Sequence, residues 1–155
     1  MLISLTGHTG FKGSWLSVLL RERRQRVCGM ALDPEAGSLF ELLQLKSFLD
    51  SDVRLDIRDE GAVEAAVRSQ SPELFFHLAA QPLVRESYRN PQETISTNVT
   101  GTMHVLDAVR KAPTVRGHVV VTTDKVYRNV GKRAGYVESD PLGGVDPYSS
   151  SKAMA

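Results

Sequence analysis

Tyr148-Ser149-Ser150-Ser151-Lys152 sets a phenol and an ammonium four residues apart. On a helix that spacing places both on one face, one turn apart. A free tyrosine titrates near ~10 and is a poor base at neutral pH. A nearby ammonium favours the phenolate and lowers that value. Such a phenol can take a proton from an alcohol as hydride leaves the same carbon. Alone the pattern is weak, because two solvated side chains satisfy it equally well. Asp124 and Lys125, preceded by Thr122 and Thr123, set an acid beside a potential base directly after an apolar run. In open α/β sheets active-site groups gather at strand C-termini, and such a pair can divide proton-transfer work. A surface ion pair or a turn is the plain alternative.

The N-terminal run Thr6-Gly7-His8-Thr9-Gly10-Phe11-Lys12-Gly13 has its glycines in the spacing G-x-x-G-x-x-G. One glycine allows a sharp turn, one lets the backbone approach a pyrophosphate, and one lets a helix pack closely on a strand. The helix then offers free N–H groups and the positive end of its dipole to phosphates. A lone glycine triplet could be a structural turn. Here it follows an apolar strand, opens a helix and is answered by Asp33, 20 residues after Gly13. A carboxylate there hydrogen-bonds ribose hydroxyls and repels a 2′-phosphate, which selects NAD over NADP. The alternative for Asp33 is to cap the Asp33-Pro34 turn.

Alternating strands and helices must position these groups. Strands are predicted at 2–6, 27–32, 53–55, 74–79 and 118–123. Helices are predicted at 11–24, with an apolar stripe of Phe11, Trp15, Val18 and Leu19, at 38–45 and at 59–68. Asn90-Pro91-Gln92-Glu93 predicts a capped helix running to about Lys111, and Asp146-Pro147 opens the last helix by the same logic. This order gives α/β architecture with a doubly wound parallel sheet and right-handed crossovers, a Rossmann fold. Residues 132–145 are a loop long enough to suggest a functional role. The last helix has two turns before Ala155, so the expectation is the N-terminal part of a longer protein.

A net charge of +1 marks neither a nucleic-acid nor a membrane partner. The basic run Arg21 to Arg26 reads as the solvated end of a helix. The single cysteine, Cys28, excludes an internal disulfide and a metal cluster, so no metal is expected, and its apolar surroundings suit a buried strand. No apolar stretch approaches the ~20 residues of a membrane span, and residues 1–5 do not make a secretory signal. The expected location is cytoplasmic.

Several runs together resemble the extended short-chain dehydrogenase/reductase family, the NAD-dependent epimerases and dehydratases, from Leu2 to Lys152. They are Gly7 to Gly13, Ala31-Leu32-Asp33-Pro34, Asp56-Ile57-Arg58-Asp59, His77-Leu78-Ala79-Ala80-Gln81-Pro82-Leu83-Val84-Arg85, Thr123-Asp124-Lys125-Val126-Tyr127 and Asp146 to Lys152. Asp124-Lys125 and the His-Leu-Ala-Ala-Gln run are similar to the dehydratase branch acting on CDP-glucose. The dTDP-glucose branch carries Asp-Glu at that pair, and the epimerases usually lack it.

The resemblance implies a hydro-lyase that converts CDP-glucose to CDP-4-dehydro-6-deoxy-glucose, a deoxysugar precursor of bacterial surface polysaccharide such as lipopolysaccharide. Tyr148, helped by Lys152, would take the C4 hydroxyl proton while hydride passes to NAD. Lys125 would remove the C5 proton, or hold the enolate electrostatically. Asp124 would protonate the departing C6 hydroxyl, and Thr123 would hold the sugar near the 4-position. The cofactor would be bound by Gly7, Thr9, Gly10, Phe11, Lys12, Gly13 and Asp33, with Asp56 and Ile57 at the adenine. Ala79, Ala80 and Gln81 would line its phosphates and nicotinamide ribose, joined by Asn98, Tyr148 and Lys152. The plain alternatives are a helix cap for Asp56, tight packing for the alanines and an ordinary polar helix residue for Asn98. His77 reads as a satisfied strand-end histidine.

Residues 1–155 would form the NAD-binding domain, ending after the Tyr/Lys pair and lacking the family's C-terminal substrate domain. The piece alone would then bind NAD weakly and not turn over. The resemblance also implies a homodimer through the helices starting at Asn90 and Pro147. A 4-epimerase or another dehydratase of the family competes with this reading. Outside enzymes, so does an NAD-sensing regulator, although such proteins usually lack the Tyr/Lys pair.

Overall fold

The computed structural model describes residues 1–155. In chain order the elements are β1 (Leu2–Thr6), α1 (Phe11–Glu22), β2 (Arg26–Ala31), α2 (Leu39–Leu42), a 3₁₀ turn (Leu45–Phe48), β3 (Ser51–Arg54), α3 (Glu60–Gln70) and β4 (Leu74–His77). There follow α4 (Val84–Arg89), α5 (Pro91–Ile95), a π-helical stretch (Ser96–Gly101), α6 (Thr102–Lys111), β5 (Gly117–Val120), a 3₁₀ turn (Asp124–Val126) and α7 (Pro147–Met154). The chain divides into two compact units, Met1–Ala79 with His104–Val121, and Ala80–Met103 with Thr122–Ala155. No helix is long and apolar enough to cross a membrane.

The first unit holds one five-stranded sheet in the order β3-β2-β1-β4-β5. Every neighbouring pair is parallel, as in Ile3 against both Val27 and Leu74. The order reverses across β1, which is the doubly wound arrangement expected. Parallel strands covered on both faces need continuous apolar runs, and Val27 to Ala31 are all buried. One face carries Met30 and Phe75 packed with Val63, Ala66 and Val67 of α3 and Val105, Ala108 and Val109 of α6. The other carries Ile3, Leu5 and Val27 with Leu20 and, partly buried, Leu16 of α1. Cys28 is buried in β2, and burial pushes its thiol up from the usual range.

The apolar stripe read along α1 is not its buried face. Phe11, Trp15 and Leu19 are exposed, and the helix is buried through Gly13, Ser14, Ser17 and Leu20. Small residues win on this face because the helix must come close to the turn before it. The Ser14 and Ser17 hydroxyls donate to the carbonyls of His8 and Gly13. Helix α1 also stops at Glu22, because Arg24 turns into the left-handed region at φ 56°. The predicted 38–45 helix shrinks to the four residues of α2, ended by Gln44 at φ 49°. Strands β4 and β5 end at His77 and Val120, short of the predicted ends.

In the second unit α4, α5, the π stretch and the Asp124–Val126 turn all pack on α7. Helix α4 was not legible in the sequence. Its presence alters the role of Asn90, which accepts no cap hydrogen bond. The Asn90 amide instead closes α4 on Glu86 O, and its side-chain amide donates to the Glu86 carboxylate. Nor is the path from Asn90 to Lys111 one α-helix, since Ser96–Gly101 widens into a π stretch. Asp146 caps α7 as expected, accepting from the Ser149 amide at 2.8 Å. Loop 132–145 is held by a bridge between Tyr127 and Leu142, stacked Tyr127 and Tyr136 rings 5.1 Å apart and a Lys132–Asp140 ion pair.

Phe75 fills the centre of the first core cluster at 1% exposure. Truncation to Ala is expected to cost about 3–5 kcal/mol, read as a lowered midpoint in chemical denaturation.

Candidate active site

In the first unit the glycine turn leaves β1 where the strand order reverses. Gly7 has φ +73°, and a Cβ on it would lie 2.7 Å from the Ala79 amide nitrogen. The position therefore needs glycine twice over, for its dihedral and for the close approach. A Cβ on Gly13 would lie 2.1 Å from Gly7 O, so the third glycine seats α1 against the turn. Gly10 differs, since its Cβ would meet only Gly7 O at 3.4 Å. Its outer side is open. Helix α1 starts there with no side-chain cap and no acidic residue in its first turn. The first-turn amides and the dipole are thus directed at whatever anion approaches the turn. These residues fit a dinucleotide pyrophosphate. Phe11 and Lys12 are exposed at the same end.

Thr6 fixes the turn to β4. Its hydroxyl pairs with His77 Nδ1 at 2.7 Å and accepts from the amides of Leu78 and Ala79, both at 3.1 Å. His77 is buried and satisfied, as the sequence suggests. The Thr9 hydroxyl reaches Leu32 O at 3.2 Å, next to Asp33, whose side chain is 90% exposed. The Asp33 carboxylate thus faces solvent, with Arg54 Nε 3.5 Å away. Asp56 is not free, because Arg58 holds it through its amide and its guanidinium. That guanidinium keeps the Asp56 carboxyl below the usual carboxylate range. Asp59, not Asp56, caps α3. The Ile57 side chain is in the core, and its carbonyl pairs with His104 at 3.1 Å. The side chains of Asp56 and Ile57 are therefore both already engaged within the fold.

His8, inside the turn, is fully buried. Its Nε2 pairs with Asp52 Oδ1 at 2.8 Å, and its ring meets Phe40 edge-on at 5.4 Å. This contact spans 44 residues, and no local pattern signals it.

In the second unit Asn98 is the hub. Its Oδ1 accepts from the Gln81 amide at 2.8 Å, and its Nδ2 donates to Gln81 O at 3.0 Å and to Ser151 Oγ at 2.9 Å. Ser151 immediately precedes Lys152, which is 4% exposed on the buried side of α7. Tyr148 is half-buried one turn earlier, and its carbonyl accepts from the Ser151 hydroxyl at 2.7 Å. Asn98 thereby ties the Gln81 backbone to α7 next to Lys152. The Gln81 side chain is spent on Thr94, Leu83 O and the Leu83 amide, so it shapes the segment after Ala79 and Ala80 without a free amide for a ligand. Ser151 and the π stretch that presents Asn98 were missed by sequence reasoning. An Asn within a helical run is the single weak signal.

Thr123 starts the second 3₁₀ turn. Its hydroxyl donates to Asp124 Oδ1 at 3.1 Å and accepts from the Lys125 amide at 3.4 Å. Asp124 and Lys125 are exposed at the turn. The Asp146 carboxyl is opposed by burial but held below its usual value by the Ser149 hydroxyl and amide, with Lys125 adding to the effect.

The description "GDP-mannose 4,6 dehydratase" belongs to a family model that matches residues 5–155. A CDP-glucose 4,6-dehydratase of Salmonella typhimurium is 48% identical over 154 residues, covering 99% of this chain and 43% of that protein. Among solved structures, dTDP-glucose 4,6-dehydratase of Streptomyces venezuelae with NAD bound superposes with TM-score 0.84 at 29% identity, over 99% of this chain and 49% of that one. UDP-glucose 4-epimerase of Thermus thermophilus with NAD does so with TM-score 0.83 at 29% identity, over 99% and 48%. The chain spans less than half the length of each of these proteins.

Two outcomes follow from the site. Asn98→Ala strips partners from the Gln81 amide and the Ser151 hydroxyl, at an expected cost of about 1–3 kcal/mol, measurable by denaturation. Burial holds the His8 imidazole below its ordinary 6.5, although Asp52 pulls the other way. The unfolded chain then binds the extra proton first, so His8 contributes stability above pH 6.5 that is lost as pH falls from there through its lowered value. Asp50, Asp56 and Asp146 are also lowered, and they add their loss as pH falls below 3.8. Denaturation midpoints between pH 7.5 and 5 should fall in the natural chain and flatten in His8→Asn.

Proposed function

The chain belongs to the GDP-mannose 4,6 dehydratase family, and on that premise we propose that it is the dinucleotide-binding part of an NAD-dependent dehydratase of CDP-glucose. The carrying observation is helix α7, which sets a half-buried Tyr148 one turn before a buried Lys152 and is tied by Ser151 to Asn98. A solvated pair would need neither the burial nor the tie. Support for CDP-glucose comes from the 48% identity to the Salmonella typhimurium enzyme and from Asp124-Lys125.

NAD, when bound, would supply the hydride acceptor for C4 of the sugar and the donor for C6. The chain's own residues do the rest. The glycine turn and the start of α1 hold the pyrophosphate, and Asp33 takes the adenosine ribose. Tyr148, one turn before Lys152 on α7, removes the C4 hydroxyl proton. The resulting ketone acidifies the neighbouring C5 hydrogen, which Lys125 removes as a proton, and C5 is reprotonated once C6 has been reduced. Asp124 gives its proton to the C6 hydroxyl, which leaves as water. Thr123, already bonded to Asp124, holds the sugar at its 4-position. We place residues 1–155 in the dinucleotide-binding domain of a homodimer that pairs through the helices beginning at Pro91 and Pro147. A cytoplasmic location accords with the single free, buried cysteine.

A 4-epimerase is the second reading, favoured by the likeness to the Thermus thermophilus enzyme. Mass spectrometry separates the two. Protein expressed from its natural gene, given NAD and CDP-, dTDP-, GDP- or UDP-glucose in turn, is expected to remove one water from CDP-glucose alone. Tyr148→Phe should reduce that rate by about 10²–10⁴. A product of unchanged mass would establish the epimerase instead.

A further inference from the structure

Arg54, the last residue of β3, has contacts that neither the glycine turn nor the Tyr/Lys helix explains. One guanidinium nitrogen donates to Asp52 Oδ2 at 2.8 Å, another donates to Leu32 O at 3.2 Å, and Nε lies 3.5 Å from Asp33 Oδ1. The guanidinium also lies over the Phe40 ring, 5.2 Å from its centroid. Its anchor is firm. The Asp52 side chain is only 8% exposed, and its second oxygen is taken by buried His8. Leu32 O is shared with the Thr9 hydroxyl of the glycine turn. The cation is therefore fixed from below by groups in the fold, and its remaining contact is the exposed Asp33 carboxylate.

Two effects follow from this placement. While Asp33 is present, Arg54 restrains a carboxylate that would otherwise be a freely rotating surface side chain. Without Asp33, the guanidinium loses its exposed acidic partner beside the end of β2, and a guanidinium fork matches phosphate geometry. We propose that Arg54 is a second determinant of cofactor choice, positioning Asp33 for the ribose hydroxyls and serving as the partner of a 2′-phosphate once Asp33 is removed. The inference rests on the reading above, in which Asp33 meets the adenosine ribose.

Calorimetric titration of the full chain with NAD and with NADP tests it. The natural chain should prefer NAD. Asp33→Ser should raise NADP affinity about tenfold, and Asp33→Ser with Arg54→Leu should lose that gain. Asp33→Ser with Arg54→Lys should keep part of it, which a purely structural role would not require. Arg54→Leu alone should weaken NAD by a few-fold while leaving NADP weak. If Arg54→Leu prevents folding, Arg54→Gln makes the same comparison without the charge. Equal NADP affinity with and without the Arg54 cation in the Asp33→Ser background overturns the proposal. Failure of the natural chain to bind either dinucleotide overturns the dinucleotide reading itself, and the Arg54 role with it.

Discussion

The first unit depends on how closely the chain passes itself at the end of β1. Gly7 lies so near Ala79 that no side chain fits between them, and Gly13 so near Gly7 that the same holds. The Thr6 hydroxyl then uses both its donor and acceptor capacity on the end of β4, meeting the His77 ring and the amides of Leu78 and Ala79. These groups would otherwise be polar atoms without partners near the middle of a sheet. Once this crossing is set, α1 must approach through Gly13, Ser14 and Ser17, and its larger apolar residues are left outside. The open side of Gly10 and the uncapped helix start are products of the same crossing.

The second unit solves a different problem with one amide. The segment after Ala80 has no strand partner, so its backbone groups need side chains. Asn98 satisfies both the amide and the carbonyl of Gln81 and still reaches Ser151. The wider π turn presents it in this role, consistent with the frequent use of such bulges where function needs a side chain displaced from a regular helix. Thr94 and Thr102 donate back to carbonyls four residues earlier on either side of it, Asn90 O and Asn98 O.

Sequence reasoning succeeded where the physics is local. The succession of strands and helices, the position of the glycine turn and the Asp146 cap are read from short runs of sequence. It failed where a second partner, near or far along the chain, competed for the same group. Asn90 looks like a cap, but α4 ends on it and claims it first. Phe11, Trp15 and Leu19 look like a core stripe, but the close crossing at the turn demanded small residues inside. Asp56 looks available, but Arg58 two residues on takes both its oxygens. His8 comes from the turn after β1, and Asp52 and Arg54 come from β3, which is separated from β1 by β2, so nothing local marked them. Tyr148, Lys152, Asp124 and Lys125 were legible as types and spacing. The tie from Asn98 to Ser151 was not, because it spans 53 residues.

The displaced stripe has an optical consequence. Trp15 is the protein's one tryptophan, and it is 52% exposed on the helix that begins at the glycine turn. Its indole is already wet in the folded chain, so loss of the core changes its surroundings little. Emission from Trp15 is accordingly a poor gauge of global unfolding. It reports instead on whatever approaches the outer face of α1, and quenching by small solutes in water reads that face directly.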